Sequence, residues 1–96
     1  MNCIASSAKT QIWFVYIVEC SDKSLYTGIT TNIDRRLKEH NNTKKGAKYT
    51  RSRRPVKIVY HEKFNTRSKA SIREAEIKKM NTSHKKTLFM YNKVTS

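Results

Sequence analysis

An α+β fold is predicted: a small three-stranded antiparallel sheet flanked by helices, in the order β-β-α-β-α-α. Three observations predict it. Ile12 to Cys20 is an unbroken run rich in β-branched and aromatic residues, which suits a central strand. Leu25 to Thr30 follows one short turn later, so the two segments pair as an antiparallel hairpin. Beyond them apolar residues recur three and four apart, the spacing of helices with one buried face.

Residues 1–11 are expected to be a disordered tail, leaving 12–92 as one folded domain. The tail lacks the apolar stretch of a signal peptide. Ser21-Asp22-Lys23-Ser24 carries turn chemistry. Lys23 stands where glycine would be comfortable, so strain is expected there. Gly28, inside the second strand, implies a bulge or a close backbone approach. Thr31 or Asn32 can cap the first helix, with Asp34 near its positive end. Ile33 and Leu37 share its inner face, while Arg36 and His40 lie four apart on a neighbouring face. Asn41-Asn42-Thr43 ends the helix, and Lys44 to Pro55 is expected as a basic loop. Val56 to Glu62 alternates partly and is the third strand. Thr66 or Ser68 caps a long helix to about Met80, with Ile77 and Met80 inward. Ser83 is the expected cap of a last short helix through Tyr91.

The charge is strong and lopsided. The chain has 96 residues and a formal net charge of +14, with 21 Lys+Arg against 7 Asp+Glu. Residues 1–34 are nearly balanced, whereas 35–96 hold nineteen basic and four acidic side chains, a net +15. With a pI near 10.1, a polyanion is the natural partner, and nucleic acid ranks first. A membrane role is disfavoured. The run Ile12–Val18 falls well short of the roughly 20 residues a span needs, and no basic segment has a wide apolar face. Cys3 and Cys20 show neither metal-ligand spacing nor a disulfide framework. Reduced thiols fit a cytoplasmic protein.

Four sets of residues carry possible chemistry. Tyr16 and Tyr26, on paired strands, can sit side by side. A free phenol titrates at about 10 and is a poor base at neutral pH, unless nearby cations or metal-polarised water assist it. Ordinary strand tyrosines are the plainer account. Arg36 can clamp a phosphate and His40 can orient water; a solvated, phosphate-binding helix face competes evenly, with Arg35 the rival guanidinium. Glu74 can offer carboxylate oxygen to a hard divalent cation, against the plainer reading of an ion pair with Lys78 four residues on. Glu76 lies about 200° from it around the helix, so at most one of the two faces a given site. Last, Lys44, Lys45, Lys48, Arg51, Arg53, Arg54 and Lys57 fall in fourteen acid-free residues with Tyr49 interleaved. That suits a phosphate backbone and a stacked base, and like charges so crowded repel until an anion arrives.

Together these residues resemble the GIY-YIG nuclease domain over about residues 12–92. Phe14-Val15-Tyr16 stands where the GIY triplet would be, and Tyr26-Thr27-Gly28 where YIG would be. Arg36 followed by His40 is similar to the family's helix, and Glu74 to its metal-binding glutamate. The stretches Tyr26–Thr31 and Gly46–Arg51 look like the small stand-alone bacterial members. The departures are Phe14 for the first glycine and Thr27 for the second isoleucine; neither removes a reacting group.

The resemblance implies the GIY-YIG endonuclease fold and hydrolysis of DNA phosphodiesters with one divalent ion, Mg²⁺ or Mn²⁺, on Glu74. Tyr16 or Tyr26 would help deprotonate water, Arg36 would stabilise the phosphorane, and His40 would assist one tyrosine. Lys44, Lys45, Lys48, Tyr49, Arg51, Arg53, Arg54 and Lys78 are the expected nucleic-acid contacts. With no recognition domain after the helices, selection by DNA structure or nick is expected, in repair or processing, with an unidentified targeting protein as a further partner. The alternative is a basic module that binds DNA or RNA without turnover.

Overall fold

The computed structural model describes the backbone of residues 11–95 and the side chains through Phe89. Residues 1–10 of the expected tail, Cys3 among them, therefore lie outside the described residues, as do the side chains of Met90 and Tyr91. The strands are β1 (Trp13–Glu19), β2 (Leu25–Thr30) and β3 (Lys57–Phe64). The helices are α1 (Ile33–Asn42), α2 (Lys48–Arg51), α3 (Arg67–Lys78) and α4 (Thr82–Thr95). The architecture is the α+β fold expected, a three-stranded antiparallel sheet in the order β2-β1-β3 with helices on it. One addition is α2, a single helical turn inside the segment expected as loop. It places the buried Thr50, described below.

β1 is central because it alone is apolar on both faces. Val15 and Ile17 are fully buried and form one core with Ala70 and Ile77 of α3. Tyr16 and Val18 point the other way, into a second core with Cys20 and Val56 that Tyr26, Leu37 and Ile58 complete. The sheet is thus sandwiched, with α3 on one face and α1 on the other. This follows from the period of two along a strand. The Cys20 thiol is pushed up chiefly by burial, which suits an inert packing role.

The hairpin register runs without a break from Phe14↔Thr30 to Glu19↔Leu25. No bulge occurs at Gly28; the irregularity lies on the other side of β1, between Ile17 and Val18 against β3. It lets the adjacent Val59 and Tyr60 both pack against the first core. Gly28 is instead a close approach. A Cβ there would lie 2.6 Å from the Tyr16 Oη. The turn holds its strain where expected: Lys23 has φ 71°, a left-handed conformation that a side chain resists. Asp22 stabilises that turn, its Oδ1 accepting from the Ser24 N–H at 3.0 Å.

Helix starts obey capping chemistry. Asn32 accepts from the Arg35 N–H at 3.0 Å, and Thr66 accepts from the Lys69 N–H at 3.2 Å. α4 begins earlier than expected, because Asn81 and not Ser83 supplies the cap, accepting from the His84 N–H at 2.8 Å. α3 is fastened to β3 by a polar chain. Arg73 Nε reaches both Glu62 oxygens at 3.1 Å and its Nη1 pairs with Glu76 at 3.1 Å, while Tyr60 donates to Glu62.

Candidate active site

The site lies on the α1 face of the sheet, built on Tyr16. Because Gly28 has no side chain, the Tyr16 ring lies flat over β2 and its oxygen reaches α1. That oxygen is 2.8 Å from His40 Nε2 and accepts from Arg36 Nε at 3.4 Å. Arg36 and His40 can both reach it because they are four apart on one helix, so their side chains stack along one stripe. Arg35, the rival guanidinium, is mostly exposed and only loosely paired with Glu39 at 3.8 Å.

Tyr16 is 1% exposed and His40 is fully buried. Burial and neighbouring charge set their protonation. Burial pushes the Tyr16 phenol up to about 12, against the lowering effect of Arg36. Burial, with Arg36 as second cause, pushes the His40 imidazolium down to about 4. Both groups are therefore neutral at pH 7.

A buried imidazole needs partners at both nitrogens. His40 Nδ1 finds Thr50 Oγ1 at 2.9 Å, and that hydroxyl donates to the Ala47 carbonyl at 2.9 Å. A proton on Nδ1 uses these short contacts, while the longer approach of the Ala47 N–H to Nδ1 at 3.4 Å suits the other tautomer; the shorter set is taken to prevail. Nε2 is then the acceptor, and the Tyr16 hydroxyl donates to it. Thr50 was not among the expected site residues. The signal available was the buried histidine itself, which required a second partner from the following segment. Gly46 allows that segment to close on α1, since a Cβ there would lie 2.7 Å from the Glu39 carbonyl.

Arg36 is held in place by more than Tyr16. Its Nη1 donates to Glu39 Oε1 at 3.0 Å and to the Lys45 carbonyl at 2.9 Å. Its side chain remains a quarter exposed (25%), so a guanidinium edge faces solvent. Tyr26 is partly exposed, with its ring edge-to-face on His40 at 5.5 Å and stacked on Tyr49 at 5.9 Å. Glu74 comes from α3 on the other side of the sheet, yet its charge is felt at the Tyr16 phenol. One of its oxygens holds the Lys78 ammonium at 3.3 Å.

The basic segment divides in two. Lys44, Lys45, Lys48 and Arg51 are exposed and form no ion pair among the described residues. Arg53 and Arg54 are instead tied to the protein's own groups. Arg53 pairs with Asp22 at 3.0 Å, donates to the Tyr49 carbonyl at 2.8 Å, and covers the Tyr49 ring at 4.0 Å. Arg54 donates to the carbonyls of Glu39, His40 and Thr43. The Glu39 carbonyl also accepts from the Thr43 N–H, so Arg54 adds a second bond there and reaches the His40 and Thr43 carbonyls near the end of α1.

Among the described residues there is no cluster of three or more His, Cys, Asp or Glu side chains. A metal here would have Glu74 as its one protein carboxylate. That donor set fits Mg²⁺, which keeps several waters and binds through one or two carboxylates plus substrate phosphate. The ion pair with Lys78, the plainer expectation for Glu74, is present, so a metal would have to displace that ammonium.

A phenol bonded to an imidazole and a guanidinium, on a three-stranded sheet, describes a class of phosphodiester-cleaving domain. The chain belongs to the GIY-YIG catalytic domain family, which matches residues 12–88. Membership places it in a nuclease superfamily, whose members act on nucleic acid and generally use a divalent metal.

Within that family it is similar to UPF0213 proteins. One from Desulfotalea psychrophila is 57% identical over 89 residues, covering 92% of this chain and 81% of the relative. One from Syntrophus aciditrophicus is 57% identical over 79 residues, covering 82% and 91%. Two solution NMR structures share the fold. The UPF0213 protein of Bacillus halodurans has a TM-score of 0.52 at 44% identity, covering 81% of this chain and 82% of that one. A protein from E. faecalis has a TM-score of 0.55 at 41% identity, covering 88% and 86%. Among the described residues no helix is long and apolar enough to cross a membrane.

Proposed function

We propose that this protein is a metal-dependent endonuclease that hydrolyses DNA phosphodiesters, choosing its substrate by structure or nick, in repair or DNA processing. One observation carries the reading: the Tyr16 oxygen is shared by His40 and Arg36. That arrangement sets a proton acceptor and a phosphate clamp on one atom.

Tyr16 is 1% exposed, so substrate entry has to open its cover; the attacking water then gives its proton to the Tyr16 oxygen as Tyr16 passes its own to His40 Nε2. Two neutral groups can do this without either first becoming an ion. The water oxygen bonds to phosphorus, and the bond from phosphorus to the leaving sugar oxygen breaks. Arg36, oriented by Glu39 and the Lys45 carbonyl, takes the charge that builds on the phosphoryl oxygens. Burial is the main cause that keeps His40 unprotonated and the Arg36 charge the second; the arriving phosphate offsets only the Arg36 part. Tyr26, the more exposed phenol, lines the approach. Held by Glu74, a divalent ion would stabilise the leaving oxygen. Lys44, Lys45, Lys48 and Arg51 supply the phosphate-backbone contacts, which are salt-sensitive by counterion release.

The test is cleavage of duplex, nicked, flapped and branched DNA with Mg²⁺ or Mn²⁺. Wild type is run beside Tyr16→Phe, Tyr26→Phe and Glu74→Ala. Structure-dependent cleavage lost in Tyr16→Phe and Glu74→Ala supports the reading. Salt-sensitive binding with no cleavage of any substrate overturns it in favour of a binding module.

A further inference from the structure

Strand β3 brings residues to the Tyr16 face that the proposed chemistry does not use. The register pairs Tyr16 with His61 and Phe14 with Lys63. Directly paired residues of antiparallel strands share a face, with their Cβ atoms roughly 5 Å apart. Phe14, Tyr16, His61 and Lys63 therefore form one block on the α1 side of the sheet. The Phe14 and His61 rings meet edge-to-face at 6.0 Å, which confirms their common side. Tyr16 is sealed by α1, whereas Phe14 is only partly buried and belongs to neither core. His61 and Lys63 are exposed.

A solvated strand edge would account for His61 and Lys63 alone, since lysines commonly guard sheet edges. It does not account for Phe14. An aromatic ring left partly open beside an imidazole and an ammonium, one residue pair from the Tyr16 site, has the composition of a base-stacking platform. Such platforms combine a π-face for the base with a cation for its phosphate. The partner must also be anionic to complement a chain of net charge +14.

We propose that Phe14, His61 and Lys63 form a subsite for one unstacked nucleotide adjoining the scissile phosphate. Because the two rings meet at 80°, one stacks on the base and the other walls its edge, and Lys63 meets the neighbouring phosphate. A base inside a continuous duplex stack has no free face to offer, so this subsite selects single-stranded, flapped or frayed DNA. It rests on the nuclease reading above and adds the feature that the strand is recognised by.

The test is equilibrium binding without divalent metal, in EDTA, so that cleavage plays no part. Fluorescence anisotropy compares a labelled single-stranded oligonucleotide with the matched blunt duplex. Wild type is measured beside Phe14→Leu, which keeps the apolar bulk and removes the π-face, and beside His61→Ala, an exposed position. Each is expected to weaken single-strand binding about tenfold, a stacking-sized loss, and to change duplex binding less than twofold. Lys63→Ala is expected to lower the salt slope by about one ion. Unchanged single-strand affinity in both variants overturns the subsite and leaves the nuclease reading standing. Equal losses on single strand and duplex overturn it as well. A wild type that binds neither probe overturns the nuclease reading and the subsite together. Should Phe14→Leu melt below the assay temperature, His61→Ala decides.

Discussion

Gly28→Ala tests the link between fold and site in one methyl group. Gly28 has ordinary extended backbone, with no positive φ. On backbone grounds alone, alanine would stabilise by about 0.4–1 kcal/mol, by restricting the unfolded chain. The structure predicts the opposite sign. The added Cβ would sit 2.6 Å from the Tyr16 Oη, 2.8 Å from its Cζ and 3.2 Å from its Cε2. The ring cannot slide aside, because its oxygen is bonded to His40 and Arg36. Overpacking of this kind costs about 1–3 kcal/mol, and the lost Tyr16–His40 hydrogen bond adds about 1 kcal/mol. After the backbone gain, a net loss of about 1–3 kcal/mol remains. For a domain of this size that lowers Tm by roughly 4–8 °C per kcal/mol. Thermal melts by circular dichroism measure it directly. In a Tyr16→Leu background, where the obstructing ring is gone, the same change should become neutral or stabilising. A Gly28→Ala protein as stable as wild type would refute the tight packing of Tyr16 over β2, and with it the positioning of the phenol.

Other outcomes follow from single contacts. Thr27 is 2% exposed, pairs with Ile17 toward the first core, and its hydroxyl has no hydrogen-bond partner. Thr27→Val keeps the shape, removes the orphaned group and should stabilise by about 1–2 kcal/mol, read as a higher urea midpoint. Arg54→Lys replaces a fork that spans three carbonyls of α1 and its end with a single ammonium. It should cost about 1–3 kcal/mol although the charge is kept, again by urea midpoint. His40 predicts a pH dependence. Its folded value, near 4, lies below its ordinary 6.5, so the unfolded chain takes up the proton first as pH falls. Its contribution is complete above about pH 6.5 and is lost toward pH 4, up to about 3 kcal/mol. Asp22 and Glu39 are lowered from 3.8 and 4.5, so their losses fall mainly below pH 5, under the range titrated. Urea titrations between pH 7.5 and 5 should slope in wild type and flatten in His40→Gln.

Much of the fold was readable because it is written in local period. The alternation through Val15, Tyr16, Ile17 and Val18 makes a strand buried on both faces, and only a central strand has that need. Asn32 and Thr66 announce helix starts through side chains that reach the backbone three residues on. The Lys23 turn was marked by the absence of glycine, and its φ of 71° is the result. Ser83 misled because Asn81, two residues earlier, accepts the first free N–H of α4. The helical turn at Lys48–Arg51 was hidden because its stabilising contacts, Thr50 to His40 and Arg53 to Asp22, come from distant segments.

The sequence by itself determined the order of elements, the two-sided burial of β1, the concentration of positive charge after residue 34 and the residue types of the site. Those depend on neighbours within one turn or one hairpin. Only the tertiary structure decided that His40 hydrogen-bonds to Tyr16 while Tyr26 packs against its ring, that Arg36 and not Arg35 reaches the phenol, and that Arg53 and Arg54, among seven similar cations, bond to the protein's own groups. Each of those choices is a contact across ten or more residues, where packing and the need to satisfy buried polar groups select among chemically equivalent side chains.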